Sequence, residues 1–153
     1  VESELSKQQS RERLLKKQLM KFDGEFDYIF IDCPPQLGIL TTNALVAATQ
    51  VIIPTKAEYL CYQGVRDLKR TIQTVREKIN PDLQLKGVMV TMYERKINDQ
   101  KDMMDLFRRE GTVVGIVKKS ADVYRHILSG KPVVAALPKS DPARSYIKIA
   151  KII

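Results

Sequence analysis

The chain has 153 residues, enough for one ordinary domain with a real core, and 44% of them are hydrophobic, which excludes wholesale disorder. A formal net charge of +8 favours polyanionic partners such as nucleic acid or an acidic membrane surface; a merely basic soluble protein is the plain alternative. The two cysteines, Cys33 and Cys61, share no metal-ligand spacing and fit a reduced cytosolic compartment, and no stretch approaches the about 18 apolar residues of a membrane span.

The opening VESELSKQQS is charged, lacks the apolar core of a signal peptide and has no initiator methionine, so a processed or truncated piece is expected. Glu4 to Lys21 reads as a helix, with Leu15, Leu19 and Phe22 on one side, and Asp23-Gly24 stops it. Phe26 to Ile31 is a run of β-formers and predicts a strand. A helix follows from about Gly38 to Ala48, then a short strand Val51 to Ile53 closed by Pro54. The most regular helix carries Val65, Leu68, Ile72, Val75 and Ile79 at helical spacing and ends at Asn80-Pro81. Next come a strand over Lys86 to Met92, a helix over Asp99 to Arg109 ending at Gly111, and a strand over Thr112 to Val117. Ala121 to Leu128 forms a helical turn before the Gly130-Lys131-Pro132 break. Val133 to Leu137 predicts a last short strand, and Tyr146, Ile149, Ala150 and Ile153 stripe a terminal helix.

Strands alternating with helices imply βαβ units and a mostly parallel sheet, whose ligands sit beyond the carboxyl ends of the strands. That rule puts Asp32 to Gln36, Pro54 to Glu58 and Thr91 to Asn98 at the functional rim. An aspartate at a strand tip can simply turn the chain, or it can hold magnesium beside a γ-phosphate. The context of Asp32 favours the second reading. Two prolines, Pro34 and Pro35, stiffen the exit and remove two amide donors, and Gly38 frees the turn into the next helix. No G-x-x-x-x-G-K-[ST] occurs in these residues, so a nucleotide site is represented by its acidic half alone.

In order along the chain stand IDCPPQLGILTTNALVAA, VIIPTKAEYLCYQG, the helix L-x-x-T-I-x-x-V-R-E-K-I-N-P-D-L, GVMVTMY, and SGKPV before a closing helix. This series resembles the C-terminal two-thirds of the ParA family of partition ATPases, the Soj and MinD group with a deviant P-loop, from Phe22 to Ile153. The resemblance implies a P-loop NTPase-like, doubly wound α/β fold with flanking helices, here without the strand that carries the P-loop. It treats the chain as one fragment of a ParA-like domain, with a leading helix over 1–22, a sheet core over 26–137 and a terminal helix over 143–153. It further implies ATP and Mg2+ as cofactors, a homodimer formed on ATP, non-specific DNA binding, a ParB-like DNA-bound partner, and a bacterial cytoplasmic, nucleoid-associated location.

Residue by residue, the resemblance makes Asp32 the catalytic acid of the Walker B strand, holding Mg2+ through water. Pro34 to Gly38, Pro35 included, become the second switch loop, which senses the γ-phosphate. Pro54 and Glu58 fall near the dimer and nucleotide face. Met92 and Tyr93 border the adenine, with Lys118 at its edge. Arg95, Lys96, Lys119 and Arg125 are the implied DNA contacts. The sequence also departs from the family: Val117-Lys118-Lys119 stands where relatives read Ile-Pro-Arg, and Tyr124-Arg125-His126 replaces an acidic-then-small stretch.

Without a phosphate-cradling loop these residues hold no anion nest, so the isolated chain is expected neither to bind ATP tightly nor to hydrolyse it. A non-enzymatic ParA-like binding or regulatory module is the alternative to a working ATPase. The basic residues Arg95, Lys96, Lys101, Arg108, Arg109, Lys118, Lys119 and Arg125 are mixed with Glu94, Asp99, Asp102 and Asp105. That mixture fits either a solvated helix face or a non-specific DNA surface. His126 has no triad around it, and Cys33 reads as a small apolar filler. The methionines Met89, Met92, Met103 and Met104 read as core or its edge. The final SYIKIAKII reads as a helix packed on the sheet rather than lying on lipid, so a membrane partner is not expected.

Overall fold

The computed structural model describes residues 10–34, 36–111 and 113–152. They form two compact units, one running up to Val51 and including Asp67–Leu85, the other made of Ile52–Arg66 and the chain from Lys86 onward.

In the first unit the leading helix is shorter than expected. A 3-10 turn at Arg11–Arg13 leads into α1 (Leu14–Leu19), and a second turn at Met20–Phe22 ends it; residues 1–9 of the expected helix lie outside the described residues. A six-residue helix is too short to hold by itself in water. Here it is fastened by Asn43 of α2 (Ile39–Ala47). The buried Asn43 amide accepts from Leu15 N (3.1 Å) and donates to Arg11 O (2.8 Å) and Ile39 O (2.9 Å). The Asp23-Gly24 stop is where the sequence puts it, with Gly24 at φ +78° and Glu25 N donating to Phe22 O.

The strand expected over Phe26 to Ile31 is not formed. The segment carries no ladder among the described residues, and Phe26, Tyr28 and Phe30 are 63%, 70% and 82% exposed. The backbone is nonetheless drawn out, because the Tyr28 and Phe30 rings, two residues apart, stack at 6.3 Å on one side. β-forming side chains do not make a strand unless a neighbour takes up the backbone hydrogen bonds.

The second half of α3 (Tyr59–Lys78) completes this unit with Ile72 and Val75 buried, as their spacing predicts. Past its end, buried Asn80 donates from one amide nitrogen to Leu45 O (3.0 Å) and Ala48 O (2.8 Å), closing the end of α2.

The second unit holds the sheet. β1 (Gln50–Lys56), β2 (Gln84–Tyr93) and β3 (Val113–Lys118) lie in the order β1-β2-β3. β2 and β3 pair parallel, Val88 opposite Val113 and Val90 opposite Ile116. β1 runs the same way, since its bonds to β2 advance together from Thr49–Gln84 to Thr55–Thr91. The sheet is therefore parallel, as the alternation of elements predicts. β1 continues through Pro54 where the sequence reading stopped it; an edge strand tolerates a proline whose missing N–H would face outward.

α4 (Asn98–Arg109) links β2 to β3 and contributes Met104 and Phe107, both fully buried, to a core with Val88, Val90 and Val117. α5 (Ala121–Leu128) starts on Ser120, whose hydroxyl accepts from Asp122 N. The last predicted strand, Val133 to Leu137, is instead one turn of helix, α6 (Val133–Ala136). Pro132 stands at its N-cap, its carbonyl accepting from Ala135 N and Ala136 N, and an isolated apolar run of this length does not distinguish strand from helix. α7 (Asp141–Ala150) is capped by Ser140 and packs on β3.

The β3–α7 contact is close because Gly115 has no side chain. A Cβ there would overlap Cγ1 and Cδ1 of buried Ile149. Gly115→Ala is expected to destabilise by about 1–3 kcal/mol, read from the urea midpoint, and Ile149→Ala on that background should return part of the loss.

Candidate functional site

β2 ends irregularly. Its register with β3 breaks between Val90 and Tyr93, and Met92 takes φ +54°, a left-handed conformation that side chains other than Asn and Asp seldom adopt. The sequence reading put Met92 in or beside the core; the bulge turns it outward to 55% exposure. Tyr93 is left half-buried between two grooves, with its carbonyl accepting from Lys119 N.

The larger groove, about 850 Å³, is lined by Tyr93, Arg95, Lys96, Lys101, Asp105 and Arg108. It is shaped by the turn after β2, in which Ile97 N donates to Glu94 O and Glu94 N to the Gln100 side chain. Lys101, Asp105 and Arg108 fall at i, i+4 and i+7, so α4 presents all three on one face. The expected contacts Arg95 and Lys96 thus lie in one basic groove.

The smaller groove, about 380 Å³, brings Tyr93 and Lys118 together with α7 residues Asp141, Arg144, Ser145 and Lys148. Lys118 Nζ lies 3.4 Å from Asp141 Oδ2, and Arg144 lies 2.7 Å from Asp141 Oδ1. The hydrogen bond from Arg144, then that from Lys118, holds the Asp141 carboxyl below its ordinary value. Sequence reasoning paired Tyr93 with Lys118 and missed the α7 side. Nothing in the sequence marks Asp141 and Arg144 beyond a capped helix start.

The other two expected DNA contacts are already engaged. Lys119 Nζ lies 2.7 Å from Glu94 Oε1, and Arg125 3.4 Å from Asp122 Oδ1.

In the first unit, Asp32 and Pro34 stand exposed on the segment that leaves Ile31, and Pro35 lies outside the described residues. The following loop is pinned to the start of α2: Gly38 N and Thr41 Oγ1 both donate to Gln36 O. Cys33 is exposed rather than a core filler, and partial burial of its thiol, followed by the Asp32 charge, raises its pKa. A thiol shifted that way is a poor nucleophile.

No three His, Cys, Asp or Glu side chains cluster as a metal cage among the described residues. Nucleotide-bound Mg2+ does not need one, since one or two carboxylates, phosphates and waters suffice, and the accessible Asp32 carboxylate fits that requirement. None of the described helices is long and apolar enough to cross a membrane.

The family described as "AAA domain" matches residues 1–85. The chain is 35% identical over 154 residues to the chromosome partitioning protein ParA of Myxococcus xanthus, covering 99% of this chain and 54% of that protein. It is 34% identical over 154 residues to the sporulation initiation inhibitor protein Soj of Bacillus subtilis, covering 99% and 61%. The chain therefore spans about half to three-fifths of the length of these relatives. The septum site-determining protein MinD of Pyrococcus horikoshii, solved with Mg-ADP, superimposes with a TM-score of 0.72 at 21% identity, over 92% of this chain and 55% of that one. At that identity the likeness speaks to the fold alone.

Proposed function

The chain belongs to the ParA/MinD family of ATPases, and on that premise we propose that it works as part of an ATP-driven machine that partitions plasmid or chromosomal DNA. The observation that carries the reading is similarity along 99% of the chain to proteins named for chromosome partitioning. In this reading a homodimer forms on ATP, holds DNA without sequence preference on the nucleoid, and is released when Mg2+-dependent hydrolysis is stimulated by a ParB-like partner.

Asp32 holds the magnesium side of the nucleotide, and Pro34 to Gly38 respond to the γ-phosphate. Pinning of that loop to α2 through Gln36 gives such a response a path into a helix. Met92, Tyr93 and Lys118 face the base, and the groove beside Tyr93 supplies an adjoining concave surface. Arg95 and Lys96, exposed at the rim of the sheet, approach DNA.

Phosphoryl transfer depends on a loop that cradles the phosphates, and these 153 residues contain no such motif. Calorimetry is therefore expected to show no micromolar ATP binding by these residues alone, and Mg2+-dependent binding once a family phosphate loop precedes them in one polypeptide. Tight ATP binding by the 153 residues alone would contradict this division of labour. Failure of the longer polypeptide to bind would favour a module that does not turn over ATP.

A further inference from the structure

α5 turns its apolar side away from the protein. Tyr124, Ile127 and Leu128 fall at i, i+3 and i+4, so they share one face, and they are 68%, 67% and 73% exposed. Asp122, Val123 and His126 are the half-buried positions, so two polar side chains take the sheltered side. A surface helix ordinarily does the reverse, and contiguous exposed apolar side chains mark a contact with another body. We infer that α5 is a docking face for an anionic lipid bilayer, with Tyr124, Ile127 and Leu128 entering the headgroup layer and Lys131 lying against acidic headgroups.

The size of the face decides between occupants. A stable protein interface needs about 20–30 residues a side, and this short helix offers far fewer. A bilayer sets no such threshold, because it moulds to single apolar side chains and binding strengthens with each one buried. A nucleic-acid backbone answers charge and gives an apolar ridge nothing. Charge then selects the kind of bilayer. Between Glu110 and Asp141 the sequence has one acid, Asp122, and Arg125 lies 3.4 Å from it. Lys131 follows α5, fixed there by its N–H donating to His126 O, and is exposed with no ion pair among the described residues. Lys139, beyond α6, is exposed and unpaired in the same way. Apolar insertion and unpaired lysines together are the two signals that surface binding requires. The terminal helix α7 packs on β3 and takes no part.

The test is co-sedimentation of the full chain with vesicles of phosphatidylcholine and phosphatidylglycerol in about equal parts, against pure phosphatidylcholine. Binding to the mixed vesicles and little to the neutral ones is expected. The double variant Ile127→Ser/Leu128→Ser should weaken binding by about tenfold or more, with the urea midpoint unchanged because both side chains are exposed. Lys131→Ala should weaken it about fivefold at low ionic strength, a difference that closes at about 1 M salt. Leu128→Trp places the one tryptophan of the chain on the ridge, and its emission should shift to the blue when mixed vesicles are added. The inference is overturned if mixed vesicles are not bound, if binding survives the double serine variant, or if the Trp emission does not move. Light scattering that shows self-association abolished by the same double variant would assign the face to a second copy and overturn it too. Vesicle binding does not depend on ATP turnover, so this inference stands or falls apart from the partition reading.

Discussion

Phe107→Ala is expected to lower the stability of the sheet-bearing unit by about 3–5 kcal/mol, the usual range for emptying a fully buried aromatic site. Phe107 is the largest wholly buried side chain described, and its ring meets the ring of Tyr62 edge to face at 5.2 Å and 76°. Met104, one turn earlier on α4, is fully buried as well, so the cavity would open inside the core. Tyr62 also donates from its hydroxyl to Glu110 at 2.5 Å, tying α3 to the end of α4. Tyr62→Phe keeps the ring contact and removes only that exposed bond, so its cost should stay at or below about 1 kcal/mol. Urea unfolding followed by circular dichroism separates the two, a suitable probe because the chain has no tryptophan. Equal costs for the two variants would mean that the hydrogen bond, and not the packing, holds α3 to α4.

The second large effect concerns chemistry. Removing a group that holds a nucleotide-bound metal ion costs turnover and leaves much of the nucleotide's binding in place, because the loss falls on charge developed in the transition state. Asp32→Ala is expected to reduce ATP hydrolysis on the order of 100-fold, about 2.7 kcal/mol of barrier, in a polypeptide where a phosphate loop precedes this sequence. Asp32 is suited to that role because its carboxylate is accessible and sits between a stiff proline exit and a run of strand-forming residues.

Much of the architecture was legible because it is written locally. The period of Val65, Leu68, Ile72, Val75 and Ile79 marked the core face of α3, and Gly24 and Gly111, both at positive φ, stopped helices where expected. The parallel sheet followed from strand–helix alternation alone. The failures share a cause, which is that strands are made by their neighbours. Phe26 to Ile31 has the composition of a buried strand and no partner among the described residues, so its aromatics face water. Val133 to Leu137 had too few residues for periodicity to speak, and it forms a helical turn after Pro132. Pro54 looked like a terminator and proved to be an edge position.

At the candidate sites, residue types were readable and pairings were not. Tyr93 and the basic residues after it could be named from sequence. That Glu94 would engage Lys119 and Asp141 draw in Lys118 depends on contacts between distant segments, whereas Asp122–Arg125 and Asp141–Arg144 are i,i+3 pairs that helix spacing alone supplies. Those pairings decide which charges remain available to a polyanion.

The most direct test of the central claim, that this chain carries the magnesium-side acid of a partition ATPase, is steady-state ATP turnover of the loop-bearing polypeptide with Asp32 and with Asp32→Ala. A drop on the order of 100-fold, with Mg-ATP still bound, is the expected result. Turnover unchanged by Asp32→Ala would contradict the assignment.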